Sequence, residues 1–224
     1  MLRFLLALTI WFGAALSCAA GAWMRAEGEG FLSLGFRAFE DAATAKQRLE
    51  QNVFFEYGLR PRLTLGAQVN YNAEQKGEGS IFLRLPLRND DRPGKLAAEI
   101  AIGAESTDGI TFDPYLKTGV SWGRGVILGG RDGWINLDGA VQWSSADAPP
   151  LFKLDATLGL TLSDRFQVIG QGLFEADENG ESLTMVPSVI YTPKRGKTRF
   201  VVGLEHKTGR DDSTGVRFGL WREF

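Results

Sequence analysis

Cysteine and histidine are almost missing from this chain of 224 residues, in which Cys18 and His206 each stand alone. One thiol and one imidazole cannot build a structural zinc site, which takes four such ligands. They also leave little for nucleophilic or acid–base catalysis at neutral pH. Net charge is scarce as well: 25 Lys and Arg against 27 Asp and Glu leave −2, which argues against a nucleic-acid partner. Beyond the first two dozen residues no apolar run is long enough for a membrane-spanning helix, which excludes a helical membrane protein. Gly123-Arg124-Gly125 and Gly129-Gly130-Arg131-Asp132-Gly133 lack the Lys-Ser/Thr of a phosphate loop and read as a turn. Asp177-Glu178-Asn179-Gly180-Glu181 does not have the spacing of a calcium loop. Neither a cofactor nor a metal is expected.

What is present begins with a leader. Arg3 supplies a basic start, Phe4 to Ser17 is uncharged and mostly apolar, and small residues offer two cleavage patterns, Cys18-Ala19-Ala20 and Ala20-Gly21-Ala22. Residues 1–22 are expected to be a secretory signal peptide and 23–224 a single domain. Two alternatives remain open: an uncleaved anchor, and lipid modification at Cys18, whose preceding Ala15-Leu16-Ser17 only loosely resembles a lipoprotein box. Cleavage at Ala20 or Ala22 removes the only cysteine and with it any disulfide.

Twelve segments of alternating polarity fill the rest, bounded by Gly, Pro, Asn, Asp and Ser clusters. They run over 30–40, 48–59, 62–73, 79–88, 95–105, 111–123, 133–144, 151–162, 165–176, 182–192, 197–208 and 213–224. Leu63, Leu65, Ala67, Val69 and Tyr71, for example, alternate with Thr64, Gly66, Gln68, Asn70 and Asn72, giving one face for lipid and one for water. A soluble sandwich alternates too. These segments, however, are 10 to 13 residues long, the length of a tilted bilayer crossing rather than of a globular strand. Aromatic residues cluster at their ends (Phe31, Phe39, Tyr57, Tyr71, Trp122, Trp134, Trp143, Phe152, Phe166, Phe174 and Tyr191) and are expected to form interfacial girdles. Connections alternate between mostly compact, basic turns and generally more acidic loops; with both termini periplasmic, an even strand count puts the basic turns inside and the acidic loops outside. The fold class is therefore all-β, a transmembrane up-and-down antiparallel β-barrel. It should have twelve strands, or ten if 111–123 and 182–192, interrupted by Pro114 and Pro187, fail as strands.

The last segment, Val216 to Phe224, keeps Val216, Phe218, Leu220 and Phe224 on one face up to the final residue. This ending resembles the closing strand of Gram-negative outer-membrane barrels. The resemblance implies that Phe218, Leu220 and Phe224 form an assembly signal read by the barrel-assembly machinery, with outer-membrane lipid as the other partner. Arg222 departs from the pattern and is expected to snorkel at the interface. Tyr57-Gly58-Leu59-Arg60-Pro61-Arg62-Leu63-Thr64-Leu65-Gly66 resembles the phrase Y-G-L-x-x-R-L-x-L-G of small outer-membrane barrels, including phenol-degradation MetA-like transporters. Leu162-Ser163-Asp164-Arg165-Phe166-Gln167-Val168 is a fainter copy. Both resemblances imply the architecture and the periplasmic placement of these turns, and carry no residue-level function.

Strand parity assigns an inward face. It carries Arg37; Glu50, Asn52 and Glu56; Gln68 and Asn70; Arg84; Glu99; Lys117; Asp138; Lys153 and Asp155; Gln167 and Gln171; Arg199 and Glu205; and Arg217. Both charge signs alternate along this lining, which suits a narrow passive channel for small polar solutes. Twelve strands lie between the side-chain-filled interior of eight and the open pore of sixteen. Phe54, Phe82, Ile169 and Leu173 also point inward and favour an alternative, a non-conducting structural or accessory barrel for envelope assembly or polysaccharide export. A lipid- or peptide-modifying enzyme is the third reading. It is the weakest, because His206 shares parity with Phe200, Val202 and Leu204 and so faces lipid.

Overall fold

The computed structural model of the protein describes residues 21–43, 45–72, 77–88, 93–106, 108–145, 149–210 and 212–224. Cys18 and the Cys18-Ala19-Ala20 motif lie outside them. Twelve strands follow in chain order: β1 Gly30–Asp41, β2 Gln47–Arg60, β3 Leu63–Asn72, β4 Gly77–Pro86, β5 Lys95–Ser106, β6 Asp113–Leu128, β7 Arg131–Ser144, β8 Leu151–Ser163, β9 Phe166–Asp177, β10 Gly180–Tyr191, β11 Thr198–Gly209 and β12 Ser213–Glu223. Each pairs antiparallel with its sequence neighbours and β1 pairs with β12, so the sheet closes into an up-and-down barrel. Closure leaves no strand edge, the condition for a sheet to survive in hydrocarbon.

The two ends differ. The start of β1, the end of β12 and the β2–β3, β4–β5, β6–β7, β8–β9 and β10–β11 turns share one end, called here the terminal end; the opposite one is the loop end. The β6–β7 turn differs from expectation. Gly123 to Leu128, read above as part of a glycine-rich turn, continues β6, and the reversal is confined to Gly129 and Gly130 at φ 57° and 75°. Those angles suit a two-residue mirror-image turn, which fits the right-handed strand twist and which glycine adopts at least cost.

Both proline-bearing segments are strands. Pro114 opens β6, opposite Ala104. Pro187 pairs with Gly170 on one side; on the other, the ladder to β11 stops at Met185↔His206 and resumes in the same register at Ser188↔Gly203. A missing N–H thus costs local pairing without shifting the strand.

The outer surface is apolar. Leu83, Leu85, Ile100, Ile102, Leu154, Leu158, Val202, Leu204, Val216 and Phe218 are exposed around the circumference, which only a hydrocarbon solvent makes favourable. Aromatic rings meet on this outer face near the terminal end: Phe166 and Tyr191 tilted at 5.3 Å, Tyr191 and Phe200 tilted at 6.5 Å, and Phe55 stacked on Phe224 at 6.2 Å. Three expected girdle residues are not in a girdle. Phe31 and Trp134 are buried inside the barrel, 3% and 8% exposed, and Phe39 faces inward beside Arg37. Each shares its strand's inward parity, Phe31 and Phe39 with Arg37 and Trp134 with Asn136, and parity outweighs position at a strand end.

Phe224 is held on both sides. Its backbone exchanges hydrogen bonds with Gly30, 2.8 and 3.0 Å, and its ring lies where a side chain at Gly30 would be.

Candidate functional site

The interior divides into two halves. Toward the loop end lies a cavity of about 690 Å³. Its wall takes Arg37 from β1, Glu50 and Asn52 from β2, Gln68 and Asn70 from β3, Glu78 from β4, and Glu105 and Lys117 from β5 and β6. Lys153 and Asp155 from β8, Gln171 and Glu175 from β9, and Arg217 from β12 complete it. Alternation on each strand turns these side chains inward, and the counterparts just described meet the lipid.

Several charges on this wall are paired. Arg37 binds Glu50 at 2.6 Å and, with Arg217, also holds the buried Glu205. Lys153 lies 3.1 Å from Glu175. Asn52, Asn70 and Glu78 form a chain of hydrogen bonds across three strands, the Asn70 amide donating to Glu78 at 2.5 Å. Four cations and five carboxylates face the cavity (Arg37, Lys117, Lys153 and Arg217; Glu50, Glu78, Glu105, Asp155 and Glu175), so its field is mixed. The floor is apolar, made by Ile169, Val186, Val201 and Trp221.

Below that floor the interior is packed. Trp134, Ile169, Ile190 and Val201 form a buried cluster against which Trp23 and Trp221 rest. Phe54 stacks on Phe82 at 5.8 Å, and Phe31 meets Phe54 and Trp221 edge-on. A relay of ion pairs runs beside them: Arg25 to Glu56 at 2.8 Å, Glu56 to Arg84, Arg84 to Glu99 at 2.8 Å, and Glu99 to Lys117 at 3.6 Å. Arg84 and Glu56 are 5% and 3% exposed at the side chain, so neither charge is neutralised by water. Of the remaining sequence-derived lining residues, Arg199 pairs with Glu223 at 3.2 Å, Gln167 reaches Thr161, and Asp138 accepts a hydrogen bond from Asn136.

The component that sequence reasoning missed is the segment before β1. Gly21 to Glu29 enters the terminal-end half of the barrel instead of hanging outside it. Ala22 is 2% exposed, and Ala22 and Trp23 occupy the space that a side chain at Gly123 would need. The backbone N–H of Gly28 donates to the Gly58 carbonyl, and the Gly58 N–H donates to the Glu29 carbonyl, both at 2.9 Å. The Arg25 N–H donates to Thr64 Oγ1 at 3.1 Å, and its guanidinium lies 4.7 Å over the Phe31 ring. A methyl group at Gly58 would strike the Ala26 carbonyl. The glycines at 58 and 123 were the only signal, and each also fits a strand.

His206 is exposed on the outer face, with Nδ1 2.9 Å from Thr214 Oγ1. Asp177 pairs with Arg210 at the loop end.

No protein-family model matches the chain, and no curated protein does. Among solved structures it is similar to the KdgM porin, at 8% identity and TM-score 0.65, covering 86% of this chain and 99% of that one. It is similar to the NanC porin at 10% identity and TM-score 0.60, covering 84% and 98%. LpxR from Salmonella typhimurium aligns at 10% identity and TM-score 0.56, covering 85% and 99%. These likenesses are of fold: a twelve-stranded barrel of the kind found in outer-membrane porins.

Proposed function

We propose that the protein is an outer-membrane channel for small polar solutes, with a wide vestibule at the loop end and a constriction set by the segment Gly21 to Glu29. The observation that carries this reading is the cavity of about 690 Å³ walled by charges of both signs. A polar wall of that size replaces part of a solute's hydration, and its fixed charges select by size and charge. The porins of the same fold support it, one of them solved as "KdgM porin in complex with disordered oligogalacturonate". Because four cations face five carboxylates, anions and cations both find partners and selectivity between them is weak. In a KCl gradient across a planar bilayer, the reversal potential should lie within a few millivolts of zero. A strongly ion-selective potential contradicts a mixed-charge pathway.

Location follows the same reading. After signal-peptide cleavage the barrel sits in the outer membrane, with the terminal end periplasmic. The strand ending in Phe218, Leu220 and Phe224 is the part offered to the assembly machinery.

The packed terminal-end half favours a second reading, a non-conducting accessory barrel. Planar-bilayer recording separates the two: steps from the folded protein support the channel, and their absence both here and in Gly58→Ala supports the accessory barrel. An enzymatic role has little support, since His206 and the Thr214 hydroxyl beside it lie on the outer face and not in the lumen.

A further inference from the structure

Gly21, next to the leader, lies against an unsatisfied acidic site. Asp138 on β7 and Asp155 on β8 are register partners that both face inward, an arrangement that costs free energy when both are ionised. No salt bridge to either carboxylate is found among the described residues, whereas Glu50, Glu56, Glu99, Glu175, Glu205 and Glu223 each have one. Asp138 Oδ2 accepts from the Asn136 amide and the Ser121 hydroxyl lies beside the carboxylate, while neither Asp138 Oδ1 nor Asn136 Oδ1, both buried, completes a hydrogen bond of good geometry. Asn136 is 1% exposed. Buried acceptors left unmet are rare and expensive.

Gly21 is what faces them. A Cβ built on Gly21 would lie 2.5 Å from Asp138 Oδ1 and 2.5 Å from Ser121 Oγ, so the Gly21 backbone packs against the carboxylate with no room for a side chain between them. Within an intact chain the Gly21 nitrogen is a neutral amide with one hydrogen. As a chain terminus it is an ammonium with three. Ala19-Ala20 before it is one of the two cleavage patterns in the leader.

We propose that the leader is cut between Ala20 and Gly21, and that the α-ammonium so created docks in the lumen on Asp138, with Asn136 Oδ1 and Ser121 Oγ as its other acceptors. In the hydrolysis, water adds across the Ala20–Gly21 peptide bond: the leader departs with the Ala20 carboxylate and the Gly21 nitrogen takes up a proton. The new cation supplies the counter-charge that the Asp138–Asp155 pair lacks. Processing is thereby coupled to the seating of the segment Gly21 to Glu29, since an uncut chain carries no charge to offer there. Cutting after Ala22 instead would discard Gly21 and Ala22, and with them the group that reaches the carboxylate. Of the proposed function, this inference rests only on secretion and not on conductance.

Intact-mass measurement of protein purified from membranes is the first test, and the expected chain is 21–224. The second is reductive methylation of the folded protein with formaldehyde and cyanoborohydride, following the α-amine by peptide mapping. In the wild type the Gly21 amine should react at least tenfold more slowly than in Asp138→Asn. Gly21→Ala, whose methyl group displaces the terminus while leaving the acids intact, should expose the amine equally if Asp138→Asn folds poorly. Heat-modifiable gel migration establishes that each sample is folded. A mature chain beginning at Trp23, or a Gly21 amine that labels as fast in the wild type as in both variants, overturns the proposal. An uncut chain recovered in the soluble fraction would instead defeat secretion itself, whereas lack of conductance would leave this result standing.

Discussion

Arg84 illustrates how much of the interior depends on single side chains. Its guanidinium joins Glu56 and Glu99, and all three are largely withdrawn from water. Arg84→Ala leaves two carboxylates facing each other without their shared cation. The expected loss is about 3–5 kcal/mol, seen as a lower urea midpoint for unfolding from lipid vesicles. Arg84→Lys should recover only part of it, since an ammonium does not reproduce the fork that reaches both acids.

At the loop end, Asp108 is held differently. Its carboxylate accepts from the backbone N–H of Thr111 at 2.7 Å and of Ile110 at 2.8 Å, and these bonds lower its pKa from 3.8 to about 2. A depressed carboxylate pKa contributes loop stability that is fully present above 3.8 and is lost as pH falls through about 2. Amide exchange at Ile110 and Thr111 should therefore stay slow at pH 4 and quicken toward pH 2. Asp108→Asn should be fast throughout.

Inward residues such as Arg37, Lys153 and Glu205 were legible from period-two alternation, because the strand geometry permits only two faces. The partners of each charge were not, since a cross-barrel pair depends on register between strands far apart in sequence, as Arg37 and Glu205 are.

At the scale of elements, strand existence was the clearest signal and strand limits the weakest. Lipid on one face enforces alternation over ten or more residues, so all twelve strands could be seen. β6 was cut short at Gly123 because its glycines mimic a turn, yet the chain stays paired with β7 as far as Leu128↔Arg131. The segment Gly21 to Glu29 could not be seen at all. It has no period and takes its conformation from the barrel wall, through Gly58, Thr64 and Glu56.

Two substitutions probe elements rather than residues. Gly30→Ala places a methyl group where the Phe224 ring sits and loosens the β1–β12 seam. Its heat-modified band should appear at a lower temperature than that of the wild type; no shift would mean that the Phe224 ring is not part of the closure. Gly58→Ala meets the Ala26 carbonyl backbone, which cannot rotate away as a side chain could, and should expel the segment. Trypsin should then cut after Arg25 in the folded protein, a bond protected in the wild type.

As a whole molecule, the protein joins a lipid-facing shell to an interior that is polar and hollow at one end and packed at the other. Closure, strand number and the outward apolar belt followed from composition and periodicity. Whether the lumen is filled did not, because inward parity is the same for a side chain that lines water and one that packs against a plug. Trp134 and Lys117 both face inward, and only the three-dimensional arrangement puts one under the floor and the other in the vestibule. The central claim is that solutes cross by the vestibule and that the segment before β1 limits the passage. Single-channel recording in planar bilayers, comparing the folded wild type with Gly58→Ala, tests it most directly. The account predicts small steps for the wild type and severalfold larger ones for the variant; silence from both, or equal steps from both, would contradict it.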